Sequence, residues 1–427
     1  MQRPATRPQT GEREALSYRP PLDIVRARPR PKPRRLPWPA AVAQRLRAAW
    51  LHAMGPAHRV LAWNAVLFLA LVLVLGIVGL ARSLDFRAKD HPDVWKGKLA
   101  HAFETHYDKR FPLKNLGVNL WAAADYELFG EGRPGVVVGR DGWLYTDEEF
   151  KLDNDSPALV VRHLALIDWV RRTLAQRHVA LLVVVVPAKA RVYPEHLGRR
   201  QPPALHRRLY AQALDTLHAE GVSAMGLLPV LLDGKRQQPT FLRTDTHWTP
   251  YGARQAARAI AARLSDSVDA TGTFHTETLG TQVHRGDLFN FLPLDPWFGS
   301  LLPPPDQLRK VRTIADARGG LLGGTSTPAV ALVGTSYSAE PQWNFAGALE
   351  QALQADVLNY AKAGEGPFTP MLAYLGSADF RVAPPKLVVW EVPERYLPLP
   401  QPTLAAYHLP PDAFAVHAAT PAASGGL

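Results

Sequence analysis

An aspartate and a histidine two residues apart, Asp245 and His247, and a serine that follows a short apolar run, Ser336, are the residues whose types and surroundings could do chemistry. They lie in Arg243-Thr244-Asp245-Thr246-His247-Trp248-Thr249-Pro250 and in Gly334-Thr335-Ser336-Tyr337-Ser338. A serine hydroxyl is a weak nucleophile and needs a base beside it. An imidazole becomes that base when a carboxylate holds its Nδ1–H and leaves Nε2 free. Thr249 is a good N-cap and Pro250 suits a first helical position, so Asp245 and His247 are expected on the loop entering a helix. A spacing of two can bring both side chains to one side of such a loop. Gly334 permits a sharp bend after the apolar run, which places Ser336 on a tight turn. The three make a Ser-His-Asp set in the chain order Asp245, His247, Ser336.

Other chemistries fit less well. An Asp-x-His pair also occurs without any catalytic role. A metal site needs a third ligand at workable spacing, and none is evident near His247. A phosphate cradle needs a Gly-Lys-Ser/Thr sequence, which is missing. The Gly-x-Ser-x-Gly nucleophile elbow fails because Ser338 stands where its second glycine belongs. With no cysteine in 427 residues, disulfides, thiolate metal sites and a cysteine nucleophile are excluded.

The elements that must position these residues alternate in type. An unbroken apolar run at 179–186 reads as a strand buried on both faces, 329–333 as a second buried strand, 386–392 as a third strong strand and 357–360 as a short one. Helical spacing is predicted over 157–176, 205–220, 252–264, 343–354 and 368–375. An Asp141-Gly142 turn between apolar runs predicts a hairpin over 136–145. No internal repeat of fixed period is present. The alternation indicates an α/β domain whose mostly parallel sheet is covered by helices on both faces. Ligands in such folds sit beyond the carboxyl ends of the strands. The segments beginning at Pro187, Gly334, Ala361 and Pro393 are therefore where a site is expected.

Charge divides the chain. Residues 1–59 carry 13 Lys/Arg against 3 Asp/Glu, with 10 prolines, whereas the remainder is close to neutral. A global basic field for nucleic acid is thereby excluded. The arm at 1–59 cannot bury enough apolar surface to order itself, so it is expected to be a disordered, solvated tail. Within it, 40–51 could form a short basic amphipathic helix. Residues 60–81 are a 22-residue run without a charged side chain. As a helix the run spans about 33 Å, enough for a bilayer core, and it is too long and starts too late for a cleaved signal. It is expected to be a single uncleaved anchor. The basic arm favours a cytoplasmic N-terminus. The near flanks oppose this, with Arg45, Arg47 and Arg59 before the run and Arg82, Arg87, Lys89, Lys96 and Lys98 after it. Residues 82–135 read as a membrane-proximal linker or helical region, and 398–427 as a proline- and alanine-rich tail that frays.

Six segments together resemble a family. They are Val138-Gly139-Arg140-Asp141-Gly142-Trp143-Leu144-Tyr145; Pro187-Ala188-Lys189 with Tyr193-Pro194-Glu195; Asp245-Thr246-His247-Trp248; Gly334-Thr335-Ser336-Tyr337-Ser338; Asn359-Tyr360-Ala361-Lys362-Ala363-Gly364-Glu365-Gly366; and Trp390-Glu391-Val392-Pro393-Glu394-Arg395. In this order they are similar to the alginate O-acetylation proteins, a membrane-anchored or periplasmic branch of the SGNH hydrolase-like superfamily. The resemblance implies a three-layer α/β/α catalytic domain over 136–397, with Asp-x-His before the serine, a permuted order. It implies Ser336 as nucleophile, His247 as base and Asp245 as the residue that orients it. It also implies Ser336 N–H and Gly364 N–H as oxyanion donors. The usual Gly-x-Asn-Asp block is replaced by Pro393-Glu394-Arg395, which leaves the third donor open.

Three residues near the triad keep two readings each. Trp248 and Tyr337 could stack on a sugar face or pack in the core. Arg395 could bind an oxyanion or a sugar, or pair with a carboxylate. Lys189 is expected to pair with a neighbouring charge. The resulting expectation is an O-acetyltransferase acting on an exported bacterial polysaccharide, with no cofactor and no metal. Family resemblance implies a polytopic partner of the MBOAT acyltransferase class, a polysaccharide synthase and export complex, and an inner-membrane protein with a periplasmic domain. No carbohydrate-binding module is expected C-terminal to Arg395. The rivals are a periplasmic carbohydrate acetylesterase and a non-catalytic scaffold that binds polysaccharide.

Overall fold

A strand whose residues are all apolar must find cover on both sides, and the chain supplies it from two sets of helices. In the computed structural model, residues 42–46, 48–49, 56–87, 96–316 and 328–415 are described. Five parallel strands form the central sheet: β3 (Ala180–Val186), β4 (Ala224–Gly226), β7 (Val330–Val333), β8 (Val357–Asn359) and β9 (Leu387–Pro393). Their order is β4-β3-β9-β7-β8. Alternation divides the side chains between two cores. Leu182, Val184, Val186, Val330, Leu332 and Val389 face one side, under α7 (Pro250–Arg263) and α8 (Phe345–Leu353). Leu181, Val183, Val185, Ala331, Val333, Val388 and Trp390 face the other, under α4 (Ser156–Ala175), α5 (Ala204–Ala219) and α9 (Phe368–Leu375). The expected three-layer α/β/α architecture is the one observed.

Two antiparallel pieces flank the sheet. The predicted hairpin pairs β1 (Val136–Val138) with β2 (Leu144–Thr146). Its Asp141 and Gly142 both take positive φ, 55° and 73°, which suits a tight turn between right-twisted strands. The second piece, β5 (Phe274–His284) paired with β6 (Asp306–Ala315), was not anticipated. Most of its exposed side chains are threonines, charges and amides, so neither an apolar run nor a clean alternation marks it.

The N-terminal unit is described by itself. Its helix α1 (Pro56–Arg82) contains the expected span, and it is the one helix among the described residues long and apolar enough to cross a membrane. Most of the arm at 1–59 lies outside the described residues; 42–46 and 48–49 are helical. The region at 82–135 holds α2 (Lys98–Arg110) and α3 (Lys114–Ala124). The tail departs from expectation. Within 398–415, one-turn segments at Pro402–Ala406 and Pro411–Phe414 dock on the sheet-helix core through Leu404, Leu409, Ala413 and Phe414. The Arg162 guanidinium of α4 covers the Phe414 ring at 4.1 Å. Proline-rich chain can pack through turns without regular structure. Residues 416–427 lie outside the described residues.

Candidate active site

The parallel register brings the ends of β3, β7, β8 and β9 to one edge of the sheet. There β7 stops at Val333, and Thr335 caps a one-turn helix, Ser336–Ala339. Glu391 of the adjacent β9 fixes this turn from beneath. Its fully buried carboxylate accepts the Thr335 N–H at 2.7 Å and the Ser338 hydroxyl at 3.0 Å. Burial pushes the Glu391 carboxyl up, and the Thr335 and Ser338 hydrogen bonds oppose this. A Cβ at position 334 would collide with that carboxylate, so glycine is required here by space. Ser336 thus stands half-exposed at the first position of the helix, where its N–H has no intrahelical acceptor.

The loop before α7 delivers the other two groups. Thr249 accepts the Gly252 N–H at 3.0 Å, and Pro250 opens the helix as its sequence predicted. The His247 Nδ1 lies 2.7 Å from Asp245 Oδ1, and its Nε2 lies 2.7 Å from Ser336 Oγ. An ionised carboxylate can only accept, so Nδ1 carries the proton and Nε2 is left to accept from the serine hydroxyl. The His247 ring is stacked on Trp343 at 5.0 Å. The three residues that sequence brought together on paper are in mutual contact, in an arrangement able to pass a proton from Ser336 to His247.

Two residues that the sequence did not single out complete the group. His284, the last residue of β5, donates Nε2–H to Asp245 Oδ2 at 2.8 Å, and the Asp287 N–H donates to the same oxygen at 3.0 Å. Burial alone would raise the Asp245 carboxyl. Hydrogen bonds from His247 and His284 outweigh it and hold this group well below the usual carboxylate range. Asp287 also brings a carboxylate oxygen within 4.8 Å of ligand atoms of Asp245 and His247, the third ligand atom that local spacing did not offer. Burial pushes Asp287 up. Its Oδ1 accepts the Thr246 N–H at 2.8 Å, and Asp245 is committed to two imidazoles. A cation here would compete with the hydrogen bonds that orient His247. His284 and Asp287 lie about 40 residues along the chain from Asp245, in the unanticipated ribbon and the turn after it; no local pattern could have found them.

The hydrogen bond to Asp245 raises the His284 pKa above its ordinary 6.5. A raised folded-state pKa gives stabilisation that is complete below the unfolded value and is lost as pH rises through the folded one. His284→Gln keeps a donor and removes the titration. The stability difference between wild type and His284→Gln is therefore expected to favour wild type most below pH 6.5 and to shrink above it. Denaturant unfolding across that range measures it, and a pH-independent difference contradicts the assignment.

The flanking candidates are placed differently from each other. Trp248 and Tyr337 are 0% and 1% exposed, so the sugar-stacking reading is corrected to core packing. Their polar handles hold the site: Trp248 Nε1–H donates to the Tyr337 carbonyl at 3.2 Å, and the Tyr337 hydroxyl to the Thr246 carbonyl at 2.7 Å. Arg395 is also buried and cannot meet an oxyanion or sugar. It donates to the Glu148 carboxylate at 2.8 Å and to the Tyr337 hydroxyl at 3.2 Å. Lys189 does not simply pair with a charge. Its fully buried Nζ donates to the carbonyls of Leu144, Arg243 and Asp245 at 2.6, 2.9 and 2.9 Å. Burial pulls this ammonium below the usual lysine range. Gly364 takes an exposed left-handed conformation, φ 79°, in the loop whose Lys362 N–H bonds the Gly334 carbonyl at 3.1 Å.

A mostly parallel sheet covered by helices on both faces is the architecture of SGNH hydrolase-like domains, and comparison with known proteins agrees on this fold. Residues 136–394 match the family model described as SGNH hydrolase-like domain, acetyltransferase AlgX, and the chain belongs to that family. It is 50% identical over 340 residues to the probable alginate O-acetylase AlgJ of Azotobacter vinelandii, covering 78% of this chain and 87% of the relative. The protein of that name from Pseudomonas aeruginosa is 50% identical over 342 residues, covering 77% and 87%. The solved O-acetyltransferase domain of Pseudomonas putida AlgJ is 48% identical, with a TM-score of 0.60, and the match covers 64% of this chain and 96% of that one.

Proposed function

We propose that this chain is a polysaccharide O-acetyltransferase that carries acetyl on Ser336 and delivers it to hydroxyls of alginate. The observation that carries the reading is the continuous relay from Asp245 through His247 to Ser336, with 2.7 Å at each side-chain step. The names of its AlgJ relatives support the acetyl group and the polymer. His247 Nε2 takes the Ser336 proton as Oγ attacks the acetyl carbonyl, and returns it to the leaving group of the donor. The Ser336 N–H and the Gly364 N–H receive the developing oxyanion. A sugar hydroxyl then loses its proton to His247 and attacks the acyl-enzyme. Ser336 leaves with that proton, and the sugar ester is released. Labelled acetyl moving from an activated ester to alginate oligosaccharide, in excess over free acetate, is the expected result. Release of acetate alone at saturating oligosaccharide would assign the protein to the esterases.

The apolar helix supports a membrane anchor. The resemblance to alginate O-acetylation proteins is what supports an inner-membrane location with the arm in the cytoplasm and the catalytic domain in the periplasm, beside an MBOAT-class acyltransferase and the polymer's synthase and export complex. Protease added to spheroplasts is expected to digest the domain and spare the arm. A protected domain in sealed spheroplasts rejects this topology.

A further inference from the structure

A cavity of about 600 Å³ opens on the far side of the loop that carries the Asp-His pair, between α7, the β5–β6 ribbon and the segment leading to Arg243. None of the three triad residues lines it, yet Thr249 and Pro250, which follow that pair directly, do. Its wall bears three arginines, Arg243, Arg254 and Arg309, and the ring of Tyr251; Trp143 also borders it, with its ring stacked on Tyr193 and His196. Neither Arg254 nor Arg309 has an ion-pair partner among the described residues. The Nε atoms of Arg243 and Arg254 are shielded from solvent and have no hydrogen-bond acceptor. Burial, with Arg258 and Arg309 as like-charged neighbours, depresses the Arg254 pKa. One carboxylate, Asp306, is also on the wall. It is engaged already, accepting the N–H groups of Arg243 at 3.1 Å and Thr244 at 2.8 Å and the Thr244 hydroxyl at 2.6 Å.

A shielded Nε–H without an acceptor is costly and an anion can satisfy it, although the Arg243 Nη2–H already donates to the Pro304 carbonyl. Planar arginine donors match a carboxylate in bidentate fashion, and the Tyr251 ring beside them suits the face of a sugar. We propose that this cavity is a second, non-catalytic site that binds the carboxylate of a uronate unit in an acidic glycan. The choice of a uronate rests on the polysaccharide reading above; the preference for an anion rests on the arginines alone. An occupied cavity braces the 244–248 loop from behind, so the polymer would be gripped away from the hydroxyl being acetylated.

The test measures binding to the full-length chain in detergent micelles by calorimetry, with a short polyuronate oligosaccharide, its carboxyl-reduced neutral counterpart and inorganic phosphate as probes. The polyuronate is expected to bind about tenfold or more tightly than the neutral oligomer. Arg254→Gln and Arg309→Gln are each expected to weaken it by about tenfold, the scale of one charge-assisted contact. Circular dichroism of both variants checks the fold, and Arg309, on the exposed ribbon, keeps the test open should Arg254→Gln misfold. Ser336→Ala is expected to bind the polyuronate as wild type does. Equal affinity for both oligomers, unchanged affinity in both arginine variants, or phosphate displacing the polyuronate from this site at equal concentration overturns the proposal. Acetyl transfer that persists alongside any of these results leaves the catalytic reading standing; loss of transfer with binding intact does the reverse.

Discussion

Ser336→Ala is expected to lower acetyl transfer by about 10⁴-fold or more, with unfolding unchanged to within about 0.5 kcal/mol. The hydroxyl is half-exposed and its side-chain partner is the His247 Nε2, so its removal breaks that one hydrogen bond at the edge of the site and no core packing. The turn itself does not depend on it. Glu391 holds Thr335 and Ser338, the residues on either side of the pair Ser336–Tyr337. Incubation with labelled acetyl donor, acid quench, digestion and mass spectrometry should find acetyl on the peptide containing Ser336, and none in the variant. His247→Ala should be comparably severe, because members of one relay do not add their losses. Asp245→Asn presents an amide to two imidazole donors where the carboxylate satisfied both, so it disturbs His284 together with His247. Full polysaccharide acetylation in cells carrying Ser336→Ala would sink the mechanism and favour a scaffold.

Lys189→Met is expected to be the most destabilising single change near the site, by about 3–5 kcal/mol. The substitution keeps the length of the side chain and deletes the donor. Three carbonyls, of Leu144, Arg243 and Asp245, then lose their partner in the interior. The hairpin and the Asp-His loop are both joined to the first turn after β3 through this one ammonium, so activity should fall with stability. A fall of about 10 °C in melting temperature is the scale to look for. Lys386→Met is the control, since that lysine is exposed and should matter little. A melting temperature unchanged in Lys189→Met contradicts the bridging role.

Sequence made the sheet readable because its strands are apolar runs, unbroken in 179–186 and interrupted only by Glu391 in 387–392, and a strand buried on both faces needs no alternation to be noticed. The Asp-His-Ser set was readable for a local reason too: Thr249-Pro250 and Gly334 announce where the chain must turn. The β5–β6 ribbon was hidden because its threonines, glutamates and amides face water, and with it went His284. Arg395, Trp248 and Tyr337 were ambiguous for a different reason. A large amphipathic residue beside a site has the same type whether it faces the ligand or the interior, and burial alone decides. Lys189 was misjudged because a lysine among polar neighbours suggests a carboxylate partner, whereas its acceptors are backbone carbonyls from two distant segments, the hairpin and the Asp-His loop.

The strand order carries a consequence for how the protein comes into being. β9 is the last strand among the described residues, yet it lies between β3 and β7, bonded to both. A chain made only as far as residue 386 can pair β3 with β4 and β7 with β8, but no strand joins the two halves of the sheet until residues 387–393 arrive. Those residues also bring Glu391, which anchors the turn of Ser336. Synthesis order therefore acts as a safety catch: any product truncated before β9 lacks both the seam of the sheet and the support of the serine, and carries no assembled site.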